Sequence, residues 1–225
     1  NNGTDLEFAT ITVPGPAGRW ASGAFDLRVP LVVELTGTSS DDTLTATTND
    51  DYRIYGLDGW DELTGSGGND VLSGGTGYDD LVGGGGSDTY LWNRGDGRDT
   101  VLATRDAAAS SIDVIQFGAD IRPEDVVISR DNSRLSLEVR TVSGSIDGGV
   151  DVQSGFDATF GHEIIDLVRF ADGTVWTRSD LQAMYLTGGA GNDTLTGFAT
   201  DDVVLGNGGD DLLRGEGGND DIWGG

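Results

Sequence analysis

The 225-residue chain contains no cysteine and one histidine, His162. Without cysteine it has no disulfides, no thiolate zinc site and no cysteine nucleophile, and a single histidine cannot build a multi-histidine metal centre. No apolar run reaches the roughly 18 residues that a membrane-spanning helix needs. No N-terminal signal peptide is visible either. These absences exclude several common classes of enzyme and membrane protein.

Basic residues are also scarce: 13 arginines and no lysine stand against 39 acidic residues, which gives a formal net charge of −26. This charge disfavours nucleic acid and anionic membrane surfaces as partners. The acidic residues are 32 Asp and only 7 Glu, and Asp is the residue favoured in tight turns and as a ligand of hard cations. There are 38 glycines but only 4 prolines, so the composition is not collagen-like. A hydrophobic share of 36% is too high for a disordered chain.

A repeat of nine residues organises two parts of the chain. In each row position six is Asp and position eight is apolar, and most rows have Gly at positions one and four. The first block contains the rows GLDGWDELT (56–64), GSGGNDVLS (65–73), GGTGYDDLV (74–82) and GGGGSDTYL (83–91). The second block contains the rows GGAGNDTLT (188–196), GFATDDVVL (197–205), GNGGDDLLR (206–214) and GEGGNDDIW (215–223).

Three further rows extend the first block. GTSSDDTLT (37–45) keeps Asp42, TTNDDYRIY (47–55) keeps only the apolar position, and RGDGRDTVL (94–102) restores the pattern after a two-residue insertion. A flexible Gly/Asp linker is the simplest alternative reading. It gives no reason for an apolar residue two positions after each Asp, so the pattern favours an ordered repeat structure.

Each row predicts a six-residue turn followed by a three-residue strand whose central residue faces a thin apolar core. Two rows then form one 18-residue coil, and stacked coils form a parallel β-roll in an all-β fold. Stacking places Asp61 over Asp79 and Asp70 over Asp88. Such carboxylate columns repel unless a cation lies between them, and a shell of carboxylate and main-chain carbonyl oxygens suits Ca²⁺ better than Mg²⁺.

The rows resemble the GGxGxDxUx nonapeptide of RTX proteins, over roughly 130 residues. The resemblance implies about five calcium ions, each between a turn and the turn two rows later, at the pairs Asp61/Asp79, Asp70/Asp88, Asp79/Asp99, Asp193/Asp211 and Asp202/Asp220. The expected metal-site residues are Asp42, Gly56, Asp58, Gly59, Asp61, Gly65, Gly67, Gly68, Asp70, Gly74, Gly75, Thr76, Gly77, Asp79, Gly83, Gly84, Gly85, Gly86, Asp88, Gly95, Gly97, Asp99, Gly188, Gly189, Ala190, Gly191, Asp193, Asp202, Gly206, Gly208, Gly209, Asp211, Gly215, Gly217, Gly218 and Asp220.

Two of these sites depart from the pattern. The pair Asp42/Asp61 spans the degenerate row 47–55. In row 197–205, Ala199 and Thr200 stand where glycine is expected, which predicts a weaker site at Asp202.

The repeats divide the chain into four predicted segments: an N-terminal cap of strands at 1–36, roll block one at 37–102, an intervening region at 103–187 and roll block two at 188–225. The expected strands outside the repeats are Leu6–Val13, Leu31–Leu35, Asp113–Phe117, Val126–Arg130, Arg134–Thr141, Val150–Gln153, Ile164–Phe170 and Val175–Trp176. Thr177 and Asp180 form a capping box that predicts a helix over Arg178–Met184.

The intervening region resembles the haemolysin-type calcium-binding related region. The residues that match are YLWNRGDGRDTV (90–101), IRPEDVVISRD (121–131) and VRFADGTVWT (168–177). The layout is also similar to secreted bacterial lipases, in which an antiparallel β-sandwich separates two β-rolls. No Gly-x-Ser-x-Gly nucleophile elbow occurs in this chain.

No catalytic residue is expected. His162 with Glu163, near Asp157 or Asp166, could act as a base, but no serine lies in a recognisable nucleophile setting. Neighbouring aspartates could supply the paired carboxylates of a glycoside hydrolase, but they lie in the turns that are assigned to calcium. Trp60, Trp92 and Trp223 could stack on sugars, although packing is the commoner role of such residues.

The first hypothesis is therefore a non-catalytic calcium-binding module that is part of a larger secreted bacterial protein. The RTX resemblance implies type I secretion and folding on calcium outside the cell, without membrane insertion by this segment. The second hypothesis is a glycan-binding or self-assembling module of a cell-surface adhesin or surface-layer protein. The third is an accessory module of a secreted hydrolase or polysaccharide-modifying enzyme.

Overall fold

The computed structural model describes residues 32–102, 111–130, 134–153 and 165–225. By its internal contacts the chain divides into Asn1–Leu31 and Val32–Gly225, and the account below concerns the second unit. The predicted strand Leu6–Val13 and the candidate residues Asp157, His162 and Glu163 lie outside the described residues.

The described chain is built mainly of short strands whose central residues are the apolar position-eight residues of the repeat. Those of the first block and its flank are β1 (Val33–Thr36), β2 (Thr43–Thr45), β3 (Tyr52–Gly59), β4 (Glu62–Thr64), β5 (Val71–Gly77), β6 (Asp80–Val82), β7 (Thr89–Trp92) and β8 (Arg98–Leu102). The remaining elements are β9 (Val114–Phe117), a 3₁₀ turn (Pro123–Asp125), β10 (Val126–Arg130), β11 (Arg134–Arg140), β12 (Ile146–Gln153), β13 (Leu167–Arg169), β14 (Val175–Thr177), α1 (Arg178–Tyr185), β15 (Thr194–Thr196), β16 (Val203–Leu205), β17 (Leu212–Arg214) and β18 (Asp221–Trp223).

Alternate strands belong to alternate sheets, as the 18-residue coil requires. One seven-stranded sheet has the order β1-β3-β5-β7-β9-β13-β14, and the other has the order β10-β11-β12-β8-β6-β4-β2. The repeat strands pair in parallel, with Leu63 opposite Leu81 and Ile54 opposite Leu72. The all-β, parallel β-roll prediction is confirmed. The strands β3 and β5 are longer than the expected three residues, because their pairing continues through Asp58–Thr76 to Gly59–Gly77.

The position-eight residues of both sheets meet in one thin core. Ile54, Leu63, Leu72 and Leu81 are fully or almost fully buried there. Tyr90 takes the same position in its row and is buried as well. This burial is the apolar contribution that holds successive coils together.

Strands of the intervening region extend the same two sheets. β9 pairs in parallel with β7, and β13 pairs in parallel with β9. In the other sheet β12 pairs in parallel with β8, and β11 and β10 follow in antiparallel order. The region expected to be an antiparallel sandwich therefore mixes parallel and antiparallel pairing, and it continues directly from the end of the roll over a shared core that includes Phe117, Leu137 and Val168.

The helix α1 begins at the predicted capping box. The side chain of Thr177 accepts from the backbone N–H of Asp180, and the Asp180 carboxylate accepts from the backbone N–H of Thr177. In the described residues no helix is long and apolar enough to cross a membrane. Leu181 is the buried residue of α1.

Block two follows α1 as a shorter roll. β15 pairs in parallel with β17, and β16 pairs in parallel with β18. Thr187, just after the helix, forms a parallel bridge with Leu205. The ring of Tyr185 on α1 contacts Phe198, with ring centroids 6.2 Å apart, so the helix is a docking surface for this block.

Candidate metal centre

The position-six aspartates form hydrogen-bonded columns. In each pair the backbone N–H of the earlier aspartate donates to Oδ1 of the aspartate one coil later. The distance is 2.8 Å from Asp61 to Asp79 and from Asp70 to Asp88, and 2.9 Å from Asp193 to Asp211. The structure thus brings the two members of each predicted pair together.

The irregular pairs remain hydrogen-bonded, two of them over longer distances. Asp79 and Asp99, separated by the two-residue insertion, are bonded at 3.3 Å. Asp202 and Asp220 are bonded at 3.1 Å despite the missing glycines of row 197–205. Asp42 donates to Asp61 at 2.8 Å, so the degenerate intervening row does not separate that pair.

The second carboxylate oxygen of several column members is buried. Asp61, Asp79 and Asp99 are at most 1% exposed. Within the described residues, Oδ2 of each of these three, and of Asp211, has no hydrogen-bond partner. A buried carboxylate oxygen without a partner costs several kcal/mol, so these atoms are suited to contact a bound cation.

Electrostatics agree with that reading. Burial raises the pKa of the Asp61 carboxyl above its ordinary value. Burial is also the largest cause of the raised pKa at Asp79 and Asp99, and the charge of Asp79 raises the Asp99 pKa further. The protein alone therefore disfavours the charged columns that its fold creates.

The glycine at position one leaves room for two oxygens. A Cβ on Gly188 would lie 2.6 Å from Asp193 Oδ2 and 2.5 Å from the carbonyl oxygen of Gly206, one coil further on. At Gly197 the corresponding distances are 2.7 Å to Asp202 Oδ2 and 2.6 Å to the Gly215 carbonyl oxygen. Gly56 and Gly65 have the same two neighbours in their rows. Position one therefore brings a carboxylate oxygen and a carbonyl oxygen close together.

Other predicted site residues shape the turn. The position-four glycines Gly77, Gly86 and Gly209 have φ of 147°, 111° and 123°, a region that L side chains rarely adopt. At position two, the backbone N–H of Gly189 donates to Asp193 Oδ2 at 2.7 Å. Ser66 and Asp70 repeat this bond at 2.9 Å.

Two predicted residues point elsewhere. The hydroxyl of Thr76 donates to Asp58 Oδ1 at 2.7 Å on the exposed side of the turns. Their side chains are thus engaged with each other and not with the aspartate column. Among the described residues no group of three or more acidic or histidine side chains is placed to hold a metal ion, so any ion must take main-chain oxygens as well.

Sequence reasoning missed that one column continues past the repeats. The N–H of Asp88 donates to Asp113 Oδ1 at 2.8 Å, and the N–H of Asp113 donates to Asp166 Oδ2 at 2.8 Å. Arg178 on α1 forms an ion pair with Asp166 at 3.0 Å. An arginine therefore neutralises the carboxylate at this end of the column. The signal that could have revealed it is the triplet Asp-x-apolar, which recurs at Asp113–Ile115 and Asp166–Val168 without glycines before it.

Sequence reasoning also missed a second series of hydrogen bonds between coils, at position five, which is called the position-five ladder below. Its bonds run in the opposite direction to those of the position-six aspartates. Here the side-chain oxygen of the earlier row accepts from the backbone N–H of the residue one coil later. Asn69 accepts from Ser87 at 2.9 Å, and Asn192 accepts from Asp210 at 2.9 Å. The same bond joins Asp51 to Asn69 and Asp201 to Asn219. This explains why Asn or Asp so often precedes the position-six aspartate.

The donor set fits calcium. Ca²⁺ takes six to eight oxygen ligands in flexible geometry, and it accepts carboxylate and backbone carbonyl oxygens alike. The columns supply buried carboxylate oxygens without partners, and the glycine turns supply nearby carbonyl oxygens. Bound there, such an ion would neutralise the columns and join successive coils.

The comparisons with known proteins point to the same chemistry. A family model described as RTX calcium-binding nonapeptide repeat (4 copies) matches residues 55–90, 185–213 and 196–225. No curated protein matches the chain.

Two solved structures are similar to parts of the chain. The extracellular lipase LipA from Serratia marcescens is 29% identical over 54% of this chain and 18% of the lipase, with a TM-score of 0.42. The AlgE6R3 subunit from the Azotobacter vinelandii mannuronan C5-epimerase is 30% identical over 60% of this chain and 81% of that subunit, with a TM-score of 0.43.

The repeated nonapeptides, their parallel coils and the buried aspartate columns define a calcium-binding β-roll. Both blocks carry the RTX calcium-binding nonapeptide repeat, because the family model matches residues in each of them.

Proposed function

We propose that this chain is a non-catalytic module of a larger secreted bacterial protein, and that calcium folds it outside the cell. The observation that carries the proposal is the set of buried Oδ2 atoms of Asp61, Asp79 and Asp99, which lack hydrogen-bond partners within the described residues. In a chain with a net charge of −26 these carboxylates oppose folding until a cation binds.

About five ions would bind between successive coils, at the five pairs predicted from the sequence. Asp42/Asp61 is a candidate for one more, because Asp42 is bonded to Asp61 as the members of the other pairs are to each other. The ligands would be the paired aspartates together with carbonyl oxygens of the turns, such as those of Gly74 and Gly206. Calcium would supply positive charge there and no reaction chemistry.

Secretion in an unfolded state is consistent with this dependence. Fixing glycine-rich turns is costly in conformational entropy, and the carboxylate columns add repulsion, so low calcium should keep the chain unfolded. Extracellular modules typically bind calcium with dissociation constants of roughly 10⁻⁴–10⁻³ M, above the concentration inside cells. Type I secretion of the unfolded chain followed by folding outside is therefore the route that we propose.

Circular dichroism tests the proposal directly. The far-UV spectrum of the chain in excess chelator should lack β structure, and titration with calcium should restore it cooperatively. Magnesium at the same concentration is the matched control and should restore much less. A β spectrum that chelator leaves unchanged would contradict calcium-dependent folding.

A further inference from the structure

The position-five ladder is interrupted at two successive places in one column. Where Asp51, Asn69 or Asn192 supplies a side-chain oxygen to the next coil, Trp60 and Tyr78 supply aromatic rings. These rings are 65% and 66% exposed. At both positions the roll thus carries a large exposed ring in place of a side-chain acceptor.

The backbone holds the two rings at a fixed spacing. Gly59 pairs with Gly77 just before them, and the N–H of Asp61 donates to Asp79 just after them. Trp60 and Tyr78 therefore project from equivalent positions of adjacent coils, about 4.8 Å apart along the roll. Because the backbone is held on both sides, it needs no reordering when a ligand binds to the rings.

Polar groups lie beside the rings. Asp58 and Thr76 occupy position three of the same two turns and are bonded to each other in the exposed region. The carboxylate of Asp41 accepts from the backbone N–H of Trp60 at 2.9 Å. Asp58, Trp60, Thr76 and Tyr78 are called the aromatic patch below. It combines flat apolar faces with carboxylate and hydroxyl oxygens.

The size and charge of the patch select the class of ligand. Two aromatic rings offer about 150–250 Å² each, well below the roughly 800 Å² that one partner buries in a stable protein interface. The net charge of −26 repels a second copy of the chain and any polyanion. A ligand with apolar C–H faces and neutral hydroxyl donors satisfies both the rings and the carboxylates.

We propose that the aromatic patch is a binding site for a neutral saccharide, whose sugar rings stack on Trp60 and Tyr78 while its hydroxyls donate to Asp58. The proposal rests on the proposed function, because the coils that carry the patch are the ones that calcium would order. It assigns a ligand class to a surface that lies outside the aspartate columns.

The full chain in saturating calcium is screened against neutral and uronate oligosaccharides, and binding is then measured by calorimetry. Trp60→Asn and Tyr78→Asn remove the rings and restore the ladder acceptor that Asn69 provides. Each variant should bind the selected neutral saccharide about tenfold more weakly, while its calcium-induced β signal stays equal or forms at lower calcium. Trp223→Asn, which removes a ring 64% exposed outside the patch, should leave binding unchanged.

Three results would overturn the assignment: a folded chain that binds no neutral saccharide, a preference for uronates, or a Trp60→Asn variant that binds as the parent does. A dimer seen by sedimentation and lost in Trp60→Asn would assign the patch to a second copy instead. Circular dichroism of the same samples separates this proposal from the preceding one. Absence of calcium-induced β structure counts against the calcium-folded roll, whereas absence of binding by a folded chain counts against the patch.

Discussion

The two repeat blocks are built from the same nonapeptide but differ in how deeply they bury it. In block one Asp61, Asp79 and Asp99 are at most 1% exposed. In block two Asp202 is 9% exposed, and Asp193, Asp211 and Asp220 are half-buried. At the apolar position the difference is confined to the last rows, because Leu195 and Val204 of block two are buried as Leu63 and Leu81 are, whereas Ile222 is 46% exposed.

The difference arises from the neighbours of each block. The strands β9, β12 and β13 continue the two sheets of block one and share its apolar core, so they cover its last coils. Block two consists of two two-stranded sheets beside α1. A nonapeptide row therefore has no fixed stability of its own. Its stability depends on what is stacked on it, as in other solenoids.

Calcium removal should have the largest effect and should separate the blocks. In hydrogen exchange with stepwise chelation, peptides from 188–225 should lose protection at a higher free calcium concentration than peptides from 56–102. The physical reason is the thinner apolar core of block two, which leaves more of its stability to the ions. Simultaneous loss of protection in both blocks would mean that they fold as one unit and do not differ in their dependence on calcium.

Asp79→Ala should disturb more sites than Asp220→Ala. Asp79 accepts from Asp61 and donates to Asp99, so it belongs to two pairs, whereas Asp220 is paired with Asp202 alone within the described residues. Calorimetric titration should show two sites weakened or lost and reduced cooperativity in Asp79→Ala, and one site weakened in Asp220→Ala. Loss of a single site in each variant would show that the turns bind ions independently.

Phe198→Ala should undock block two. Phe198 is 4% exposed and contacts Tyr185 on α1. Removing a buried phenylalanine side chain typically costs about 3–5 kcal/mol. In urea titrations followed by hydrogen exchange, the free energy of unfolding of peptides from 188–225 should decrease by this amount. The free energy of unfolding of peptides from 56–102 should be unchanged. Leu212→Ala, at a half-exposed position, is the control and should have little effect.

A fall in pH should favour the folded form of block one in chelator and disfavour it when folding depends on calcium. Burial raises the pKa of Asp61, Asp79 and Asp99 above the unfolded value of about 3.9. A raised carboxyl pKa stabilises the folded form as pH falls through that raised value, and the gain is complete below the unfolded value. In chelator, the β signal should therefore rise as pH falls from 8 towards about 4.

With calcium present, protons compete for the same carboxylates, so the calcium needed for half-folding should increase as pH falls. Calcium titrations by circular dichroism at several pH values measure this midpoint. The same direction of change with and without calcium would contradict a role of these carboxylates as ligands.

The smallest expected effect concerns one strained position. Leu57 has φ of 87°, in a region that is unfavourable for an L residue other than Asn or Gly. At the same position of a block-two row, Asn207 has φ of 66°. Leu57→Asn should therefore stabilise block one by up to about 1 kcal/mol, measured as a shift in the urea midpoint in saturating calcium. A destabilised variant would mean that the half-exposed leucine side chain contributes packing that outweighs the strain.

The fold was largely predictable because the repeat fixes the register. Asp61 and Asp79 are 18 residues apart, and so are the facing residues Leu63 and Leu81. The helix start at Thr177 followed from its capping box. In these cases local sequence and tertiary structure specify the same arrangement.

The continuation of the column could not be read from spacing. Asp113 follows Asp88 by 25 residues, and Asp166 follows Asp113 by 53. Long connections replace the glycine turns between these residues, so no period links them. The contact of Phe198 with Tyr185 could not be predicted either, because it depends on where α1 lies. The position-five ladder could have been predicted, because Asn69 and Asn192 recur before the aspartates. The direction of its hydrogen bonds could be seen only from the backbone geometry.

The opposed ladders at positions five and six determine how such a roll can be lengthened or edited. The bond from Asp61 to Asp79 and the bond from Ser87 to Asn69 each join equivalent places in adjacent coils, 18 residues apart. Neighbouring nine-residue rows lie in different columns, and the column with Trp60 and Tyr78 differs from the column with Asn69 and Ser87. Deleting one nine-residue row would move every later turn into the other column. Aromatic rings would then lie next to positions that carry ladder acceptors. The unit in which this module can be copied, spliced or engineered is therefore the full coil of two rows.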